Sequence, residues 1–129
     1  MKLALDTNAY TALQVGDVLL AEHLRHAERI GLPIVVIGEL RYGFLNGSRL
    51  AENEAILERF CGSPRVEVLG VDDDTTKLFG EIATLLRRNG TAIQQDDIWI
   101  AASCKQHSYA LATRDKGFQH VLGLSVVTF

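Results

Sequence analysis

Four acidic residues stand where an apolar segment gives way to polar sequence: Asp6, Glu39, Asp97 and Asp115. Asp6 ends the apolar run Leu3-Ala4-Leu5 and opens the triplet Asp6-Thr7-Asn8. Glu39 follows the β-branched run 34–37, and Asp115 follows the apolar segment 108–113. Asp97 heads a helical stripe with Ile100, Ala101 and Cys104 at i, i+3, i+4 and i+7, on a face where a structural residue would be apolar. A charge placed there needs a partner. If the four acids meet, each pair at ~4 Å repels by about 4 kcal/mol at an effective dielectric of ~20. Several such pairs rival the ~5–15 kcal/mol stability of a whole domain. Protonation with a raised pKa relieves the repulsion, and so does a divalent cation. An all-oxygen ligand set suits Mg²⁺ or Mn²⁺ better than Zn²⁺. An open acidic site of that kind serves phosphoryl transfer or phosphodiester hydrolysis.

The chain must carry these acids to one place. Segment 3–5 reads as a buried strand, as do 33–37, 66–69, 108–113 and 124–129. Between them lie helical patterns. A short turn capped by Thr7 or Asn8 runs through Leu13. A helix restarts at Gly16-Asp17 and carries Leu20, Leu24 and Ala27 until Gly31-Leu32-Pro33 ends it. Glu39 begins another helix, and Ser48 caps one that runs through Phe60. The acids Asp72, Asp73 and Asp74 read as cap and dipole partners of an amphipathic helix bearing Leu78, Phe79, Ile82, Leu85 and Leu86. Strands alternating with helices predict an α/β fold with a central parallel sheet flanked by helices, in one domain over 1–129. Right-handed crossovers bring the carboxyl ends of such strands to one edge, where all four acids can converge.

Composition narrows the classes. Of 129 residues, 47% are apolar, which predicts a packed globular chain. No apolar run approaches the ~20 residues of a membrane helix. The start of the chain lacks a leader pattern, so the expected location is cytoplasmic, with no membrane partner. The 13 basic and 16 acidic residues give a net charge of −3, which disfavours a nucleic-acid binder unless several acids hold a metal. Cys61 and Cys104 lack metal-site spacing and read as small buried groups. His23 and His26, at i, i+3, have no third ligand and read as surface residues. No Ser-His-Asp order and no Gly-rich phosphate loop is present.

The ordered set Leu5-Asp6-Thr7-Asn8, Glu39-Leu40 with Gly43, Asp97-x-x-Ile100-Ala101-Ala102, Thr113-x-Asp115 with Phe118, and Gly123-Leu124-x-Val126 resembles the PIN-domain family. The likeness is nearest to the VapC-type toxins of toxin–antitoxin pairs, and it spans essentially the whole chain. It implies a three-layer PIN-like fold and a Mg²⁺- or Mn²⁺-dependent endoribonuclease that acts on RNA. By matching motif, Asp6, Glu39, Asp97 and Asp115 would be both the catalytic acids and the metal ligands. Asn8 and Thr113 would support them by hydrogen bonds, and Asp96 would add to the site or merely cap its helix. The resemblance also implies a homodimer silenced by a cognate antitoxin. Two features depart from the family. Segment 34–37 offers no hydroxyl beside Glu39, where many members carry Ser or Thr, and Lys116 rather than a second acid follows Asp115.

Other residues and readings stand beside these. Arg41, Lys105, Arg114 and Lys116 are candidate phosphate grips or plain surface cations. Tyr42, Phe44 and Trp99 are candidate base-stacking residues or members of the core or a dimer contact. An RNA-processing nuclease outside a toxin pair fits the same acids. So does a non-catalytic module that binds RNA or protein. A phosphatase using an aspartate after its first strand would need a second acid where Asn8 stands.

Overall fold

The computed structural model describes residues 1–129. Five strands, β1 (Lys2–Leu5), β2 (Arg29–Pro33), β3 (Val66–Leu69), β4 (Ala110–Ala112) and β5 (Val126–Val127), form one sheet in the order β3-β2-β1-β4-β5. Every neighbouring pair is parallel. The sheet is flanked by α1 (Thr7–Gln14), α2 (Val18–Arg25), α3 (Ile34–Leu45), α4 (Leu50–Cys61), α5 (Asp73–Arg88) and α6 (Gln95–Gln106). The chain steps outward from β1 to β3, then returns to lay β4 on the other side of β1. Strand order therefore reverses between β1 and β4. In open parallel sheets that reversal opens a crevice at the carboxyl ends, where ligands bind.

The centre of the sheet is apolar because its strands are covered on both faces. Leu3, Ala4, Leu5, Leu32, Leu111 and Ala112 have no solvent exposure. Helix α6 is buried nearly all round, with Ile98, Ile100, Ala101, Ala102, Ser103 and Cys104 inaccessible. Its Trp99 stacks on Phe79 of α5 with centroids 4.2 Å apart. Asp72 and Thr75 form a capping box at the start of α5, and the Thr75 hydroxyl also donates to Gln106 at the far end of α6. Cys104 is buried as expected, whereas Cys61 is only half-buried. No helix is long and apolar enough to cross a membrane.

Several local expectations are corrected. The run 34–37 is the first turn of α3, not a strand, and the strand is Arg29–Pro33. Its β-branched side chains suit a helix here because Val36, Ile37 and Leu40 are buried together along one face. Gly31, expected to break a helix, lies inside β2. A Cβ there would stand 2.8 Å from the Tyr109 ring and 3.0 Å from a Leu69 methyl, so the close approach admits only glycine. Glu39 consequently sits in the second turn of α3 rather than at its start. Asp6, not Thr7 or Asn8, caps α1, its Oδ1 accepting from the Ala9 N–H at 2.8 Å. Helix α4 begins at Leu50 with no side-chain cap, so Ser48 does not fill that role.

Candidate active site

Asp6 and Asp115 reach the crevice from the carboxyl ends of β1 and β4, on the two sides of the strand reversal. Asp6 is 5% exposed. Its two oxygens accept from the Ala9 N–H at 2.8 Å and from the Thr113 hydroxyl at 2.5 Å. The same Thr113 oxygen accepts from the Asp115 N–H at 2.9 Å, so one hydroxyl ties both strand ends together. Asp115 in turn caps a short 3-10 helix, Lys116–His120, accepting from the Gly117 N–H at 2.8 Å.

Glu39 arrives from α3. Its Oε1 accepts from the Thr7 hydroxyl at 2.5 Å. Thr7 thus supplies the hydroxyl that segment 34–37 lacks. Asp97 stands in the first turn of α6, half-buried, and Asp96 beside it is exposed. Asn8, expected to support the acids, is exposed and makes no side-chain hydrogen bond. It lines a separate cavity with Arg114.

The electrostatics are those of crowded acids. Asp97 is pushed up to about 6, first by desolvation and then by the charges of Asp115, Glu39, Asp6 and Asp96. Asp6 is raised by burial and by Asp115, against the lowering effect of its hydrogen bonds to Thr113 and Ala9. Glu39 is raised by burial and by Asp96 and Asp6, against its bond from Thr7. Asp97 therefore feels the charge of each of the other four acids, Asp96 included.

None of the five takes part in an ion pair. The expected phosphate grips are mostly committed elsewhere. Arg41 pairs with Glu54 at 2.9 Å, and Arg114 pairs with Asp17. Lys105 donates to the Leu122 carbonyl at 2.9 Å. Only Lys116, next to Asp115, is exposed and unpaired among the four. Of the aromatic candidates, Trp99 lies in the α5–α6 seam and Phe44 packs on the core, while Tyr42 is exposed.

The donor set fits a hard divalent cation in chemistry: only carboxylate oxygens, of which Asp6, Glu39 and Asp97 are raised, and none in an ion pair. No three of these side chains already converge as a cage. Mg²⁺ suits such an open arrangement, because it keeps several waters and takes only one or two carboxylates directly. Sequence reasoning missed Thr7. Its partner is 32 residues away, across two elements, and no local pattern announces such a bond.

Comparison with known proteins gives a consistent set. The PIN domain family model matches residues 3–124. Ribonuclease VapC5 of Mycobacterium tuberculosis is 27% identical over 130 residues, spanning 95% of this chain and 90% of that protein. Toxin FitB of Neisseria gonorrhoeae is 34% identical over 98 residues, 70% of this chain and 68% of that protein. Among solved structures, VapBC2 from Rickettsia felis, bound to a promoter DNA fragment, aligns over 100% of this chain and 99% of that one. Its TM-score is 0.87 at 24% identity, a likeness of fold.

Proposed function

This chain belongs to the PIN-domain family, and we propose that it is a Mg²⁺- or Mn²⁺-dependent endoribonuclease, the toxin of a toxin–antitoxin pair. The observation that carries the proposal is the unpaired acidic edge: Asp97, raised to about 6, feels the charges of Asp115, Glu39, Asp6 and Asp96, and none of these acids is in an ion pair. Relatives named ribonuclease support the reaction class. Neighbours of this fold solved as VapBC and FitAB complexes support an antitoxin partner.

Asp6 and Asp97 would be the principal cation ligands, and Glu39 and Asp115 would complete the set directly or through water. A bound cation supplies charge neutralisation for the scissile phosphate and lowers the pKa of water. The chain's own groups do the rest. Thr7 fixes the Glu39 carboxylate, which orients the attacking water and accepts its proton. Thr113 holds Asp6 and the Asp115 backbone in register, so both strand ends present their acids together. Lys116 is placed to hold a flanking phosphate. Exposed apolar side chains around the α1–α2 junction (Val15, Val18, Leu19) and at the end of α3 (Leu45) support assembly with other chains, an antitoxin and a second copy. The nuclease works as one domain in the cytoplasm.

The test compares RNA cleavage by wild type and Asp97→Asn with Mg²⁺, with Mn²⁺ and with EDTA. Cleavage that needs the cation and is lost in the variant is the expected result. Equal cleavage by both proteins, or activity that survives the chelator, rejects the mechanism.

A further inference from the structure

Tyr42 lies on the same face of α3 as Glu39, three residues on, and its ring stands 72% exposed. It forms one wall of a cleft of about 610 Å³ whose other lining residues are Thr7, Val35, Gly38, Glu39 and Asp96. Gly38, one turn before Tyr42, faces open space, with nothing within 4 Å of where a Cβ would stand. The cleft therefore runs directly out of the acidic edge. Its α3 side joins Val35, Gly38 and the Tyr42 ring to the Glu39 carboxylate, and Thr7 and Asp96 close the other side. No lysine or arginine lines it. A phosphate is repelled there, whereas a neutral flat ring is not. Asp96 lines the same cleft, is exposed, stands within hydrogen-bond range of the Glu39 carboxylate, and takes part in no ion pair.

We propose that this cleft is a nucleobase subsite: a base of single-stranded RNA next to the cleaved bond stacks on Tyr42, and Asp96 accepts hydrogen bonds from its edge. Aromatic stacking combined with bonds to the Watson–Crick edge is the general way proteins read unpaired bases. A carboxylate only accepts, through two oxygens. Guanine matches it best, since its N1–H and N2 amino donors lie side by side. Adenine and cytosine place a ring acceptor beside their single amino group, and uracil flanks its one N–H with two carbonyls. The subsite thus selects guanine, and Asp96 acts on the base rather than on a cation. This assignment rests on the reading of the acidic edge as a ribonuclease.

The experiment uses short single-stranded RNAs that differ only in the base at each position around the cut, with Mg²⁺ present. Wild type is expected to prefer guanine at one position beside the cleaved bond. Tyr42→Ala raises KM roughly ten-fold or more with little change in kcat, while Tyr42→Phe, which keeps the ring, stays within about two-fold. Asp96→Asn loses the guanine preference, roughly ten-fold in the ratio of kcat/KM on guanine RNA to that on the other RNAs. In parallel, the Tyr42 ring resonances are followed while a guanine-containing RNA is added without metal.

A Tyr42→Ala KM within about two-fold of wild type overturns the subsite. So does a variant altered only in its oligomeric state by sedimentation, which makes the ring a contact between copies. A ring shift without cleavage by any variant keeps the subsite and removes the nuclease. Cleavage with no shift and no change in KM does the reverse. Neither shift nor cleavage removes both.

Discussion

The two ends of the sheet handle charge in opposite ways. At the amino ends, the Lys2 ammonium lies 4.7 Å from the centroid of the Tyr109 ring, whose hydroxyl donates to Glu67 at 2.5 Å. Arg29 donates to the Pro64 carbonyl at 3.2 Å. Arg65 reaches the carbonyls of Leu24 and Ala27, both at 2.5 Å, and so finishes the end of α2. Burial and the bond to Glu67 push the Tyr109 hydroxyl up to about 12, and it stays neutral at any ordinary pH. At the carboxyl ends, Asp6, Glu39, Asp96, Asp97 and Asp115 stand without one ion pair among them. The first arrangement is what a chain does when charge serves stability. The second costs stability, and a fold retains it where the charge has a use beyond the fold.

That contrast is testable, and the largest effect belongs to Asp97. Asp97→Asn is expected to lower RNA cleavage at least about 100-fold, as loss of a central catalytic carboxylate does. The same change should stabilise the cation-free protein. The Asp97 carboxyl, ordinarily near 3.8, holds its proton up to about 6 in the fold, so the folded state binds that proton more tightly than the unfolded chain. Stability from this group therefore falls as pH rises between those values and stays low above them. The loss is roughly 1–2 kcal/mol after allowance for solvent screening. Thermal unfolding should show Asp97→Asn melting a few degrees above wild type at neutral pH without metal. Mg²⁺ should raise the melting temperature of wild type more at neutral pH than near pH 5, and cleavage should fade as pH drops through about 6.

At the other end of the sheet the order of effects reverses. Gly31→Ala drives a methyl into the Tyr109 ring and should cost about 1–3 kcal/mol in denaturant unfolding, with cleavage per folded molecule unchanged. Any loss of cleavage beyond the unfolded fraction would mean that the two ends are coupled. Returning to the crevice, Thr7→Val frees Glu39 to move and should lower kcat roughly ten-fold, with Thr7→Ser restoring it. A Thr7→Val enzyme with wild-type kcat would show that Glu39 needs no brace. The smallest change is Tyr109→Phe, which removes the bond to Glu67. About 1 kcal/mol of stability and no activity should be lost.

The same contrast explains what could be read from the sequence. Asp6 and Asp97 were legible because each breaks a local pattern: an acid ending an apolar run, and an acid at the head of a buried helix stripe. The alternation of strands and helices gave the parallel sheet for the same reason. Glu39 was legible as an acid but not in its setting. Local propensity favours a strand over 34–37, whereas the strand in the fold is Arg29–Pro33, set by its pairing with β1 and β3, segments distant in sequence. The supporting hydroxyls divide likewise. Thr113 stands in the motif beside Asp115 and was expected, while Thr7 acts on Glu39 across a gap that no periodicity spans. Asn8, its neighbour in the same triplet, faces outward because Asp6 starts α1 and the helix turns successive residues in different directions.

The hydrogen bond from Thr113 to Asp6 joins residues 107 positions apart. Contacts of such long sequence separation form late, since the intervening chain must first be ordered. A growing polypeptide presents Asp6 early, but the strand that locks it follows nearly the whole of the rest. During synthesis the crevice has only one of its two walls. If the acidic edge cuts RNA, the nascent chain is harmless to the message and the ribosome that are making it, and the hazard begins only once β4 docks beside β1.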